Sequence, residues 1–306
     1  MLNINSIKTK YLEKLDQHLY NLQKKFPLLR RLDIEVTRQC NLKCKHCYMD
    51  ATSEKDEHEM SKQDFFNIAD TLYKEWYKNT EIVFTGWEAL VRKDFIEIAK
   101  YFKKLWFRCF LVSNGTLLTK SKLEAIQDIF EGFTISIDGL KDYHNEFRWW
   151  NSFDITIENI KNIVPHNLYI KTVITKDNID DVNNIHQLLQ SLWVKKWDLI
   201  NLSVNGRGKK LSNFLEKDDY IKIQNFVENI SDIEISWENP LKKEQKRCIC
   251  WISECSILYN GDVIGCLNAD RTQTQVYWNI KENSIIEIRN SWFWKYRDKN
   301  FYHCND

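Results

Sequence analysis

The chain has 306 residues, 43% of them hydrophobic, which is enough for one large α/β domain with a small appendage. Its net charge of +1 argues against a nucleic-acid-binding surface as the main function, so we expect no nucleic-acid partner. No apolar run approaches the about eighteen residues of a membrane-spanning helix, and the first residues lack the features of a signal peptide, so we expect no membrane contact and a cytoplasmic location.

Residues 1–30 are basic and amphipathic, and they predict an N-terminal helix that packs on the domain after it. One face of this helix would carry Ile7, Tyr11, Leu15, Leu19 and Leu22, and the helix would end at Pro27. The apolar run at residues 32–37 is rich in β-forming residues and predicts the first strand.

Three cysteines follow that strand with the spacing C-x3-C-x2-C: Cys40, Cys44 and Cys47. Thiols this close in sequence converge only if the segment folds as a loop, and such a loop suits one multinuclear metal centre. The chain has 9 cysteines and no export signal, which favours metal ligands over disulfides. The alternatives are a zinc site that adds His46, or buried thiols without a metal, although zinc sites more often combine two distant C-x2-C pairs.

Strands and helices alternate over the next part of the chain. Ser61 and Asp64 predict a capped helix over residues 61–77. The predicted strands then lie at 81–85, 107–112, 133–137, 169–174 and 196–203, and the predicted helices at 93–105, 120–130, 155–163, 179–192 and 215–230. Together with the first strand this gives six strand-helix units, which predict a parallel sheet with functional residues at the carboxyl ends of its strands.

Several polar residues stand at those strand ends. They are Gly86, Trp87 and Glu88 after the second strand, Ser113 and Asn114 after the third, and Ser136, Asp138 and Arg148 at or after the fourth. A glycine lets the backbone approach a ligand, and a carboxylate such as Glu88 accepts hydrogen bonds from an ammonium group. A guanidinium such as Arg148 can donate two parallel hydrogen bonds to a carboxylate. The alternatives are an exposed carboxylate for Glu88, a helix N-cap for Asp138 and a surface ion pair for Arg148.

The cysteine spacing after a first strand resembles the signature of the radical S-adenosylmethionine (SAM) enzyme family. The resemblance implies a partial (β/α)6 barrel over residues 31–235. It also implies a [4Fe-4S] cluster held by Cys40, Cys44 and Cys47, whose open iron binds SAM. The cluster would then donate one electron, and a 5'-deoxyadenosyl radical would remove hydrogen from a substrate. An electron donor such as flavodoxin or ferredoxin is implied as a partner.

The same resemblance assigns the strand-end residues to SAM. Gly86, Trp87 and Glu88 would contact its amino group, although Trp87 and Ala89 depart from the Gly-Gly-Glu-Pro pattern of the family. Ser113 and Asn114 are well placed for hydroxyl contacts. Ser136, Asp138 and Arg148 would face its ribose and carboxylate.

Residues 236–306 form a cysteine-rich extension that predicts a β-hairpin, because Asn260 and Gly261 stand between two apolar runs. The extension resembles the start of a SPASM domain, which carries auxiliary [4Fe-4S] clusters. The resemblance implies Cys248, Cys266 and Cys304 as auxiliary ligands, with unligated thiols as the alternative. Because such domains normally continue with more cysteines, we expect this one to be truncated.

The tryptophan content is unusual: the chain has 12 tryptophans but only 8 glycines, against an average glycine use of about 7%. Ten of the tryptophans stand where a turn or a close backbone approach would call for glycine: Trp76, Trp87, Trp106, Trp149, Trp150, Trp193, Trp237, Trp251, Trp278 and Trp292. Our hypothesis is that these are UGA codons that encode glycine in the source organism. The alternative is a genuinely tryptophan-rich protein, in which an indole at position 87 would obstruct SAM.

Together these features resemble a radical SAM oxidoreductase with a SPASM-type extension. That resemblance implies a peptide or protein as the substrate, since enzymes with such extensions often modify ribosomally made peptides or activate other proteins. One alternative is a radical SAM enzyme that modifies a tetrapyrrole or another cofactor. A second, suggested by Trp87, is a non-catalytic metal-binding protein or a degenerate relative that keeps an iron-sulfur cluster but no longer cleaves SAM. A zinc protein is the third alternative.

Overall fold

The computed structural model describes residues 29–49, 51–75, 77, 79–149, 151–163, 167–237, 239–241, 253–267 and 278–290. The helix predicted for residues 1–30 falls almost wholly outside these ranges, and so do Cys248 and Cys304. In the described part of the chain, no helix is both long and apolar enough to cross a bilayer.

The described strands belong to one mostly parallel sheet. They are β1 (Arg31–Glu35), β2 (Glu81–Thr85), β3 (Arg108–Ser113), β4 (Phe130–Ser136), β5 (Leu168–Ile174), β6 (Lys196–Asn201), β7 (Glu234–Trp237), β8 (Glu254–Ile257) and β9 (Val263–Ile264). Their order is β7-β6-β5-β4-β3-β2-β1-β8-β9, and every neighbouring pair is parallel except β8 and β9. Because β1 to β7 follow in chain order, their crossovers run one way and place the helices on one face, as in a barrel.

The helices bury one stripe each against this sheet. They are α1 (Lys62–Lys74), α2 (Phe95–Lys104), α3 (Lys120–Ile126), α4 (Lys141–Arg148), α5 (Ser152–Ile160), α6 (Val182–Ser191), α7 (Lys217–Asn229) and α8 (Ile285–Asn290). Ser61 and Asp64 form the predicted capping box at the start of α1. In α2 the buried residues are Phe95, Ile98, Ala99 and Phe102, which is the spacing of one helical face.

The sheet is open among the described residues, but it curls. Lys171 of β5 and Asp33 of β1 influence each other electrostatically, although four strand spacings separate them in the sheet. A flat sheet would put roughly 19 Å between them, beyond the range at which screened charges interact strongly. The open, curved, mostly parallel sheet confirms the predicted partial barrel.

Two features of the sheet were not predicted. β7 adds a seventh parallel strand beyond the six predicted units. The hairpin of β8 and β9 is confirmed, with Gly261 in its turn at φ 96°, but β8 also pairs in parallel with β1, from Arg31 with Glu254 onward. The C-terminal hairpin thus extends the barrel sheet rather than standing apart from it.

Two tryptophans end helices in a position that normally belongs to glycine. Trp106 follows α2 with φ 70°, its N–H donates to the Lys103 carbonyl at 2.9 Å, and the N–H of Phe107 donates to the Phe102 carbonyl at 3.3 Å. This is the Schellman pattern, in which the residue with positive φ is usually glycine. Trp193 repeats it after α6 with φ 57°.

A third tryptophan, Trp149 at the end of α4, has φ 153° and ψ 156°, a region that is essentially restricted to glycine. All three side chains are largely solvent-exposed, from 45% for Trp149 to 82% for Trp106. The other non-glycine residue with positive φ in the described ranges is Asn151, a residue type that tolerates it. The backbone therefore supports the glycine hypothesis at three of the ten positions.

Candidate functional site

The three signature cysteines share one pocket at the carboxyl end of β1. Cys40 and Cys44 are each 9% exposed and Cys47 is half-buried. Together with Leu42 and Ala51 they form a small apolar cluster that is separate from the main core. The loop therefore brings the three predicted ligands together.

The loop is also shaped to hold sulfur ligands. The N–H of Leu42 donates to the Cys40 Sγ at 3.3 Å, and the Asn114 side-chain amide lies 3.9 Å from the same sulfur. The Asn114 amide also donates to the Asn41 side chain at 2.9 Å. Hydrogen bonds to sulfur are one of the means by which proteins tune iron-sulfur sites.

Burial raises the pKa of Cys40 to about 12 and that of Cys44 to about 11. The nearby Glu88 carboxylate and the other thiols raise the Cys40 pKa further, whereas Arg148 opposes the effect at Cys44. Buried thiolates are therefore stable here only beside bound positive charge, which iron supplies. Three soft sulfur donors in an apolar pocket fit a [4Fe-4S] cluster.

His46, the extra ligand of the alternative zinc site, is engaged elsewhere. Its ring stacks on Phe147 at 4.3 Å, and its Nε2 lies 3.3 Å from the Asp138 carboxylate. Burial lowers the pKa of His46 to about 4, so its imidazole is neutral near pH 7. No group of three or more His, Cys, Asp or Glu among the described residues is arranged to hold a single metal ion.

A loop after β6, which the sequence did not single out, docks on the cysteine loop. The Arg207 Nε donates to the Cys44 carbonyl and its Nη1 donates to the Ala51 carbonyl, both at 2.8 Å. Its backbone N–H donates to the Cys47 carbonyl, also at 2.8 Å. Gly206 permits this approach, because its φ is +55° and a Cβ there would clash with that carbonyl oxygen. The Gly-Arg-Gly sequence was the available signal.

The Glu88 carboxylate is occupied by hydrogen bonds from within the protein and is not exposed to accept one from a ligand. It has no exposed surface and accepts hydrogen bonds from the Ser113 hydroxyl at 3.0 Å and from the backbone N–H groups of Asn114 at 2.8 Å and Leu90 at 3.2 Å. Burial raises its pKa against the opposing effect of these donors. Its carboxylate ties the end of β2 to the end of β3, and a direct contact with SAM stays a prediction. The alternative of an exposed carboxylate is wrong.

Gly86 and Trp87 lie between Glu88 and the cysteines. Gly86 has φ +115°, and a Cβ there would approach the Thr37 carbonyl oxygen to 2.8 Å, so the backbone requires glycine. Trp87 packs against the cysteine cluster, with its ring 5.0 Å from the Arg38 guanidinium. Its indole N–H is buried without a hydrogen-bond partner in the described structure, which is costly. A glycine at position 87 would remove that cost and open space beside the thiols.

Asp138 and Arg148 form a buried ion pair. The Arg148 Nε lies 2.6 Å from the Asp138 carboxylate, whose other oxygen accepts the Val173 N–H at 2.8 Å. Burial alone would raise the pKa of Asp138, but Arg148, His46 and His144 hold it below its usual value. The pair is not on the surface and Leu140, not Asp138, is the N-cap of α4, so both alternatives for these residues are wrong.

This pair lies under the cysteine loop, because the Lys45 N–H donates to the Phe147 carbonyl at 2.8 Å. Asp138 has no exposed surface and Arg148 is 8% exposed. Their predicted contacts with the ribose and carboxylate of SAM therefore stay predictions, and for Asp138 the observed role is to position its neighbours.

Ser136 opens onto the face of the sheet opposite the helices. The alternate residues of β4, β5 and β6 pack in the core, so Ser136, Lys171 and Asp198 share the other face and stand in register on adjacent strands. Asp33 of β1 faces the same space. The sequence analysis missed these charges, although a charged residue between apolar neighbours in a strand is a visible signal.

The auxiliary ligands are only partly placed. Cys255 is buried in β8 and Cys266 is half-buried after β9. Cys248 and Cys304 lie outside the described residues, so the auxiliary cluster and the SPASM interpretation stay predictions.

Comparison with known proteins identifies the same family as the cysteine spacing does. A family model described as the radical SAM superfamily matches residues 34–189, just over half of the chain. A protein named AdoMet-dependent heme synthase from Oleidesulfovibrio alaskensis is 32% identical over 206 residues, which cover 65% of this chain and 53% of that protein. The antilisterial bacteriocin subtilosin biosynthesis protein AlbA from Bacillus subtilis is 29% identical over 194 residues, covering 61% of this chain and 42% of AlbA.

Among solved structures, Streptococcus suis SuiB bound to its precursor peptide SuiA superposes with a TM-score of 0.75. The identity is 16%, and the match covers 96% of this chain and 72% of SuiB. This likeness concerns the fold alone. The chain spans about half the length of the sequence relatives it matches.

Proposed function

The chain belongs to the radical SAM superfamily, whose members are enzymes that use a [4Fe-4S] cluster and SAM, and on that premise we propose that it cleaves SAM reductively to modify a peptide or protein. The observation that carries the proposal is the pocket in which Cys40, Cys44 and Cys47 lie together at the carboxyl end of β1. When bound there, the cluster supplies the electron that splits SAM and so releases the 5'-deoxyadenosyl radical.

The residues of the chain prepare this site in three ways. Cys40, Cys44 and Cys47 would hold the cluster in a largely apolar pocket, which limits the access of water. Gly86 lets the backbone after β2 pack closely against Thr37, just before the cysteine loop. Arg207 fixes the cysteine loop through its carbonyl groups. A reductant of the flavodoxin or ferredoxin class would deliver the electron.

The charged open face of the sheet supports a peptide or protein substrate. Asp33, Lys171 and Asp198 lie on that face, and mixed charges of this kind suit polar peptide groups. AlbA, by its name, takes part in making a peptide bacteriocin, and SuiB was solved with a precursor peptide. A tetrapyrrole is the second candidate, since another relative is named a heme synthase.

Oxygen-free reconstitution followed by reduction with dithionite tests the proposal, with 5'-deoxyadenosine as the measured product. We expect product from the Trp87→Gly variant, because that change opens the space beside the thiols, and none from Cys40→Ala. A cluster without any SAM cleavage in Trp87→Gly would instead identify a degenerate iron-sulfur protein. Stimulation by peptides encoded beside the gene, compared with iron coproporphyrin, distinguishes the two substrate classes.

A further inference from the structure

A row of polar side chains crosses three adjacent strands on the open face of the sheet. The register places Ser136 of β4 beside Lys171 of β5, and Lys171 beside Asp198 of β6. Their chain neighbours Ile135, Ile170 and Trp197 are fully buried on the helix side. Since side chains alternate along a strand, the row points away from the core into the space enclosed by the curved sheet.

Lys171 is the cation of this row, and Asp198 is its anion. Among the described residues its ammonium makes no hydrogen bond or ion pair, although it is half-buried and Asp198 is its direct neighbour. Burial lowers the pKa of Lys171, and the nearby Arg31 lowers it further, whereas Asp198 and Asp33 oppose this by electrostatic influence without forming an ion pair with it. A cation held out of bulk water without a partner is costly, so the position is explained best by a ligand that supplies the missing charge.

The row continues along β5 to the strand ends that support the cysteine loop. Val173 is two residues beyond Lys171 on the same face, which is about 6.6 Å along the strand, and its N–H binds Asp138 at the strand ends. A group held at Lys171 would therefore leave the atoms attached to it near the cysteine loop.

We propose that Lys171 binds a carboxylate of the substrate and that this contact orients the substrate beneath the cysteine loop. The inference rests on the proposed function and adds the chemical group that the enzyme recognises. In a peptide the group is an Asp or Glu side chain, or the C-terminus; in a tetrapyrrole it is a propionate. Both sources present the same anion, and the ammonium pairs with either.

Acylation of lysines in the reconstituted full chain, mapped by mass spectrometry, tests the contact without relying on turnover. The probes are a short peptide with one glutamate, the same peptide with glutamine, and coproporphyrin III. We expect the glutamate peptide to reduce labelling of Lys171 and to leave Lys196 unchanged, because Lys196 is exposed and already paired with Glu234 at 3.5 Å. If only coproporphyrin III protects Lys171 from labelling, the result supports the contact with a carboxylate and shows that a tetrapyrrole supplies that carboxylate.

Binding of the same probes to Lys171→Met gives the second readout. We expect at least about a tenfold loss of affinity for the carboxylate probe. Asp198→Asn is the matched control, and it should bind the carboxylate as well as or better than the parent, since it removes a competing negative charge. Equal protection by the glutamine peptide, no protection by any probe, or unchanged affinity in Lys171→Met would overturn the proposal. These results concern Lys171 only, and the separate assay for 5'-deoxyadenosine decides the proposed function.

Discussion

Replacement of Trp106 by glycine and by alanine, compared as a pair, isolates the backbone strain at the end of α2. Both variants lose the same indole, which is 82% exposed and so contributes little packing. Only glycine relieves the left-handed backbone at φ 70°, a conformation that costs a residue with a Cβ about 1–2 kcal/mol. We therefore expect Trp106→Gly to be more stable than Trp106→Ala by about 1 kcal/mol.

The same pair at Lys100, an exposed position inside α2, is the control. There the backbone is helical, so alanine should be more stable than glycine by about 1 kcal/mol. Urea denaturation of oxygen-free protein measures all four variants, and the sign of the glycine-alanine difference should reverse between the two sites. The pair repeated at Trp193, with φ 57°, should follow Trp106.

An alanine variant at Trp106 as stable as the glycine variant would refute the strain argument. The gene offers an independent check of the glycine hypothesis, since UGA codons at these positions support it and UGG codons reject it.

In contrast, Trp197 is fully buried and its indole donates to the Thr172 hydroxyl at 2.8 Å, so Trp197→Gly should lower the free energy of unfolding by at least about 3–5 kcal/mol.

Three further predictions concern the buried groups around the site. Arg148→Met should lower the free energy of unfolding by about 3–5 kcal/mol in urea, because it leaves Asp138 buried without its partner at 2.6 Å, and a loss below about 1 kcal/mol would contradict this. Burial lowers the pKa of His144 to about 3, so as pH falls below about 6.5 only the unfolded state gains this proton and stability falls. His144→Asn should remove up to about 2 kcal/mol of the loss between pH 7 and 5, and an unchanged pH dependence of the urea midpoint would count against it. Arg207→Lys keeps the positive charge but cannot make both carbonyl contacts, so a chelator should extract iron from the cluster of this variant faster than from the parent protein. An equal rate would show that the contacts to Cys44 and Ala51 do not hold the cysteine loop in place.

The fold could be predicted largely because its signals are local. The alternation of strands and helices gave the parallel sheet, and Asn260 and Gly261 gave the hairpin, as the turn with Gly261 at φ 96° confirms. The pairing of β8 with β1 was missed because it joins residues more than two hundred positions apart, such as Arg31 and Glu254. No periodic pattern within a strand specifies so distant a partner.

Only part of the site could be predicted from the sequence. Cysteine spacing identifies Cys40, Cys44 and Cys47, because loop geometry alone brings such residues together. Glu88 and Asp138 were placed correctly at strand ends, but position does not distinguish an open ligand from a buried support, and both proved fully buried. Arg207 was missed because its partners are backbone carbonyl groups, which no residue type identifies, and the glycines on either side of it were the available signal.

Electron paramagnetic resonance of the reduced, oxygen-free protein, recorded with and without SAM, tests whether the three cysteines hold a cluster that binds SAM. We expect the signal of a reduced [4Fe-4S] cluster that changes when SAM is added, because one iron of the cluster remains open to it. The variant with Cys40, Cys44 and Cys47 all replaced by alanine should lack this SAM-sensitive signal. Absence of such a cluster in the parent protein, or an identical SAM-sensitive signal in the triple variant, would show that these cysteines do not form the SAM-binding site.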